Sequence, residues 1–189
     1  MQKNTIIFKQ VFPGYDDNVK HFYRLLDAFK DKRYIKVDGK LLFVILVPQM
    51  MPDPTGFMNT WNELCKKNGL PGFYFVASIE SVPELTIGQT GNLNELISEN
   101  ILKYKKLGFD GVETINGRYA EFMANGKIKK TIKALIRRIA PGMFIDKMNY
   151  SKIINSYYTK FDRLEYVYPQ LLVGWDRSPR AGRKADIYY

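Results

Sequence analysis

From Leu41 to Val47 the chain reads "LLFVILV", with no polar residue to break it. An apolar run of this length bounded by turn signals predicts a strand covered on both faces, the pattern of a parallel sheet sandwiched by helices. Its upstream boundary is Asp38-Gly39, a pair that suits the two positive-φ positions of a type I′ hairpin turn. Downstream, Pro48, Pro52 and Pro54 mark a loop. A chain built around such a strand must provide helices to cover it.

Helical patterns do alternate with further strand patterns. "NTIIFKQVF" (Asn4–Phe12) is β-branched and aromatic and closes on Pro13-Gly14. Asp16 and Asp17 stand where a helix N-cap is expected, and Phe22, Leu25, Leu26 and Phe29 then recur on one helical face. A second helix carries Phe57, Trp61, Leu64 and Cys65 and ends at Asn68-Gly69. "GFYFVASI" (Gly72–Ile79) is another buried strand, and "ESVPELTIGQTGNLNE" a long loop. A helix ending at Gly108, the short strand "FDGVETI" and a helix through Ile132, Leu135, Ile136 and Ile139 follow. "YSKIINSYY" gives a last helix and about Gln170–Trp175 a last strand. Strand–helix alternation of this kind predicts an α/β fold with a parallel sheet, either an open doubly wound sheet or part of a (β/α) barrel. Polar and aromatic residues gather past the strand ends, at Met50–Asp53, Glu80, Glu113 and Trp175–Arg180, which favours the barrel. Ligands bind at that edge in both architectures.

Composition removes several function classes. The 189 residues fit a single domain, 1–189. With Cys65 the only cysteine and His21 the only histidine, neither a disulfide nor a cysteine- or histidine-rich metal site can form, and no metal or cofactor is expected. His21 lies beside the apolar face of the first helix and reads as a helix-surface or packing residue. The net charge of +10 favours anionic partners, but the cations are scattered, so nucleic acid is not expected. No apolar stretch is long enough to span a bilayer, and the first residues lack a signal peptide's pattern. A reducing, cytoplasmic setting is the expectation.

No GxGxxG or GxxxxGK[ST] motif is present, so the usual phosphate-cradling loops are not supported. Glu113, set among apolar residues in "GFDGVETI", is the candidate catalytic carboxylate. A partly desolvated acid there would suit acid–base work, whereas an acid exposed at a strand edge would do nothing special. A glycosidase needs two facing carboxylates, and the sequence shows no obvious second one. In "GWDRSPR", Trp175 offers a stacking platform, Asp176 an acceptor for sugar hydroxyls and Arg180 a bidentate donor. The competing reading is a structural Asp–Arg pair beside a buried tryptophan.

Taken in order, "HFYRLLDAFKDKRYIKVDGK", "LLFVI", "WNELCKKNGLPGFYFV", "GFDGVE" and "GWDRSPR" resemble the WbsX-like glycosyltransferases of bacterial polysaccharide and lipopolysaccharide loci. That family is related to the endo-α-mannosidase/endomannanase barrels. The resemblance implies a (β/α)8 TIM-type barrel, here incomplete, with about four central parallel strands and flanking helices. It implies cell-surface glycan synthesis, O-antigen or capsule, with a sugar nucleotide or glycan as partner. Glu113 and the loop of Trp175, Asp176 and Arg180 would stand at the sugar-binding mouth. The alternative is a non-catalytic carbohydrate-binding module or a fragment without activity of its own. The sequence departs from the family pattern at Leu41, Leu46, Arg177 and Ser178. The family's "YLPQFH"-like opening and "NEWAEG"-like ending, which carries paired carboxylates, have no counterpart. A partial domain lacking its N-terminal strands and last strand would leave two open parallel edges, which implies a gene fragment, a truncated relative that closes differently, or one piece of a two-chain domain with a complementing chain as partner.

Overall fold

A computed structural model describes residues 11–82, 92–124, 146–173, 175–176, 179 and 186–188. The chain divides into two compact units, Met1–Val76 and Ala77–Tyr189, with the boundary inside one strand.

The first unit opens with helix α1 (Tyr15–Lys30). Asp16 and Asp17 are not its cap: Gly14 holds that position at φ 98°, with no side-chain cap bond, and the two carboxylates fall in the first turn. There they face the positive end of the helix dipole. The expected hairpin follows, with β1 (Lys36–Val37) antiparallel to β2 (Lys40–Leu46). Asp38 and Gly39 both take positive φ in the turn, 49° and 77°. Helix α2 (Pro54–Lys67) starts where Asp53 accepts from the Gly56 N–H at 2.8 Å and ends at Asn68, with Gly69 at φ 67°. Strand β3 (Phe73–Glu80) is buried along almost its whole length. The Leu41 N–H donates to the Gly72 carbonyl, so β2 and β3 start side by side and run the same way.

Trp61 is the centre of this unit and is fully buried. The rings of Phe22, Phe29, Phe43, Phe57 and Phe73 lie around it, with centroids 4.5 to 5.8 Å away. These separations are typical of edge-to-face and offset aromatic packing. The indole N–H donates to the Asn18 carbonyl at 3.0 Å, so the one polar atom of the side chain is satisfied. His21 packs edge-on to the same indole at 5.1 Å, in keeping with a packing role. Covering β2 on both faces does not hold. Leu41 and Ile45 are buried toward the helices, but Val44 and Leu46 on the alternate face are 41% and 72% exposed. The helices of this unit cover one face of the strand, which suffices for residues of one parity only.

In the second unit the end of β3 leads to helix α3 (Leu93–Lys106), whose first residue follows Asn92, a cap that accepts from the Asn94 N–H. Gly108 turns the chain at φ 97° into β4 (Gly111–Ile115). A helical stretch over 117–124, α4, follows directly. Helix α5 (Tyr150–Ile154) and a 3-10 turn (Lys160–Arg163) precede β6 (Val167–Pro169). Strand β6 pairs parallel with β4, Glu113 lying opposite Tyr168. The main sheet therefore has the order β1-β2-β3-β4-β6. A separate three-stranded sheet contains β5 (Asp146–Met148), β7 (Trp175–Asp176) and β8 (Asp186–Tyr188), in the order β5-β8-β7.

The fold is thus mixed α/β with a five-stranded sheet and flanking helices. The last strand of the main sheet lies earlier than the expected Gln170–Trp175. Residues 170–173 have no regular structure, and Trp175–Asp176 pairs antiparallel with β8 in the other sheet. One sheet edge is the antiparallel β1, which pairs with Lys40 and Leu41 alone and leaves the rest of β2 beyond it. Most of the expected strand at Asn4–Phe12 and all of the helix through Ile132–Ile139 lie outside the described residues, as does most of the long loop after Glu80.

Trp61→Ala should cost about 3–5 kcal/mol, the usual range for truncating a buried aromatic, read as a lower midpoint in denaturant unfolding. Burial pushes the Cys65 thiol up to about 11. At pH 8 the native protein should therefore resist iodoacetamide and become alkylated only as it unfolds.

Candidate functional site at the carboxyl ends of two strands

The chemistry of the second unit collects where β3 and β4 end. The Ser81 N–H donates to the Ile115 carbonyl at 3.1 Å, so the two strands finish side by side and run parallel. In a parallel ladder that bond places Glu80 across from Ile115 and Ser78 across from Glu113. Ser78, Glu80 and Glu113 therefore share one face of the sheet. Helix α3 holds this end in position, because the Asn100 side-chain amide donates to the Glu80 carbonyl at 2.8 Å.

A second anchor comes from the turn before β6. Asp162 accepts from the hydroxyl of Thr114 at 2.6 Å and from the side-chain amide of Asn116 at 3.0 Å. It also accepts from the backbone and hydroxyl of Thr159, in a capping box. An ionised carboxylate only accepts, so Asn116 must turn its NH2 toward Asp162. Its carbonyl oxygen, Oδ1, then points elsewhere.

Three side-chain oxygens at these strand ends are buried without a hydrogen-bond partner: Ser78 Oγ, Glu80 Oε2 and Asn116 Oδ1. Ser78 and Asn116 are 2% and 0% exposed as whole residues. The Glu80 side chain is 35% exposed, yet its Oε2 is fully buried, so the exposure lies elsewhere on the side chain. An unsatisfied buried oxygen costs about 1–3 kcal/mol, and three in one region mark a place where something besides packing is selected. Arg118, just after β4, brings its Nε to 3.8 Å from Glu80 Oε1, a loose ion pair with both side chains partly solvated. Burial raises the Glu80 carboxyl above its ordinary value; Arg118 opposes the rise and Glu121 adds to it. Tyr157 is fully buried nearby, its hydroxyl pKa raised chiefly by burial, with a hydrogen bond from the Asn116 backbone working against the rise.

Glu113 lies third in the five residues of β4 and is half-buried, mid-strand rather than at the strand end. The structure brings it together with Ser78 and Glu80 by face and register. Trp175 and Asp176 lie in β7, in the smaller sheet, and Arg180 lies outside the described residues. Sequence reasoning marked Glu80 as one of the polar residues at strand ends but did not single it out. It missed Ser78, Asn116, Arg118 and Asp162. The signal for Asn116 was present: a polar side chain directly after "VETI", where an α/β sheet presents residues to a ligand. Among the described residues no group of three or more histidines, cysteines or carboxylates could hold a metal ion. None of their helices is long and apolar enough to cross a membrane.

A parallel-strand edge with polar side chains is the ligand edge of α/β proteins as a class. Comparison with known proteins then identifies the lineage. The family model "Glycosyltransferase WbsX" matches residues 1–189, and the chain belongs to that family. An uncharacterized protein WxcX of Xanthomonas campestris pv. campestris is 20% identical over 173 residues, 92% of this chain and 21% of its own length. WxcX from a second strain matches to the same extent. The chain thus spans about a fifth of the length of these curated relatives. No solved structure matches.

The raised Glu80 carboxyl has a pH consequence. A carboxyl whose folded-state pKa lies above its unfolded value of 4.5 holds its proton more tightly when folded. Stability present below that value is then lost as pH rises through the raised folded one. Glu80→Gln cannot ionise and should escape this loss. Its melting temperature should gain on the wild type between pH 4 and pH 7, as read by circular dichroism melts in matched buffers.

Proposed function

We propose that this chain is part of a protein of bacterial cell-surface polysaccharide biosynthesis, O-antigen or capsule, that binds sugar or sugar-phosphate at the carboxyl edge of its parallel strands. The observation that carries this reading is the group of unpartnered buried oxygens at the ends of β3 and β4, in a chain of the WbsX glycosyltransferase family. Such groups are expected where a polar ligand supplies the missing bonds.

In this reading Glu113 is the reacting carboxylate. Its place on the same face as Ser78 and Glu80 supports it, because those residues bring the polar cluster toward its side of the sheet. Glu80 also supplies the nearby second carboxylate that the sequence alone did not reveal. Neighbouring strands and an offset of two residues separate the two backbones by roughly 8 Å. Trp175 and Asp176 of β7, with Arg180, are the sugar-stacking and sugar-binding residues, by resemblance and by their chemistry. The architecture is an incomplete (β/α)8 barrel, supported by the parallel strands with helical crossovers. The exposed apolar residues Val44 and Leu46 support a complementing strand segment, from this or another polypeptide, over that face of β2. The second reading, a carbohydrate-binding module without catalysis, keeps the same site.

Two measurements test this. Deleting the coding sequence should shorten or abolish the surface polysaccharide ladder on a gel, and an unchanged ladder overturns the pathway assignment. In the purified protein, Glu113→Gln and Asp176→Asn should each weaken oligosaccharide binding by about tenfold, the worth of one charge-assisted hydrogen bond. Tight binding that survives both substitutions overturns the assignment of these residues.

A further inference from the structure

We propose that Ser78, Glu80 and Asn116 form a subsite for the hydroxyl groups of a neutral sugar ring, and that the phosphate of a nucleotide donor binds elsewhere. The proposal rests on the sugar-handling reading above and adds which part of the substrate this cluster takes. The starting point is the chemistry of the three unpartnered atoms. A carboxylate oxygen and an amide carbonyl oxygen accept hydrogen bonds and have none to give; a serine hydroxyl can do either. The ligand that satisfies them must therefore present donors. Sugar hydroxyls do so, and each can accept in return from the Arg118 guanidinium, whose Nε lies 3.8 Å from Glu80.

Charge excludes the phosphate. Glu80 feels the negative charge of Glu121 as well as the positive charge of Arg118. Tyr157, in the same neighbourhood, feels both Glu80 and Asp162. Among the described residues, Glu80, Glu121 and Asp162 set against Arg118 disfavour a dianion, while a neutral polyol meets no such penalty. Asp162 is itself occupied by Thr114, Asn116 and Thr159, so it tilts the field without competing for ligand. A divalent cation would want several carboxylates with free oxygens. The described residues hold no group of three or more histidines, cysteines or carboxylates suited to a metal.

Asn100 holds the Glu80 main chain through its carbonyl, and Asp162 holds the side-chain amide of Asn116. The Asn116 amide is therefore oriented before ligand arrives, an arrangement that favours recognition of a weakly binding neutral group.

The test is ligand-observed NMR on the whole chain with methyl α-glycosides of mannose, glucose and galactose, and separately with inorganic phosphate and with calcium. At least one glycoside should give saturable binding. Glu80→Gln and Ser78→Ala should each weaken it by about tenfold or more, while both variants keep a cooperative melt and phosphate fails to compete. The subsite is overturned if a glycoside binds equally well to both folded variants or if phosphate displaces it. It is also overturned if calcium alone raises the melting temperature in a manner that Glu80→Gln abolishes, since the cluster would then be an ion site. Binding of no glycoside by the wild type overturns the sugar-handling reading itself. The first three outcomes leave that reading standing.

Discussion

Much of the second unit depends on the carboxylate of Asp162. It receives hydrogen bonds from Thr114 in β4, from Asn116 just past β4 and from Thr159 at the start of its own turn. One acceptor thus fastens the turn before β6 to the end of β4, while the backbone of β6 pairs with the same strand. Removing it would strand a buried hydroxyl and a buried amide together, a far larger loss than any single bond. The same contact decides the orientation of the Asn116 amide. The strand-end chemistry follows from that choice, because a flipped amide would offer a donor where an acceptor now stands.

The first unit rests on a different physics. Half of its buried core residues are aromatic and centre on Trp61, whose own polar atom is satisfied by one bond from the indole to Asn18. That design makes helix α1 and strand β3 depend on the same side chain. The two units share β3, and the residues of that strand change character along its length. Phe73 and Phe75 serve the aromatic core, whereas Ser78 and Glu80 serve the polar edge.

The parts of the fold that were legible in the sequence are those dictated locally. Asp38-Gly39 announces its hairpin because few other pairs accept two positive φ values, and the face of α2 is written in the spacing of Phe57, Trp61, Leu64 and Cys65. The exposed face of β2 was not legible, since an unbroken apolar run looks the same whether one face or two are covered. Nor was the placement of Trp175 in the smaller sheet, which depends on pairing with residues eleven or more positions away. For the site, Glu80 and Glu113 could be seen as acids near strand ends. Their common face could not, because it is set by the relative register of β3 and β4, a tertiary fact. Asn116 and Ser78 are ordinary residues in the sequence and become notable only when burial leaves their oxygens without partners.

The hairpin that opens the main sheet has a consequence for growth. Strand β1 has two residues and forms one rim of the sheet, with an exposed lysine, Lys36, in one of the two positions. A strand arriving there would find almost no backbone to pair with and a charge to desolvate. The turn at Asp38-Gly39 folds the chain back just long enough to pair with Lys40 and Leu41. The hairpin thus blunts the start of β2 and leaves Phe43–Leu46, its second half, as the stretch of this rim that another strand could meet.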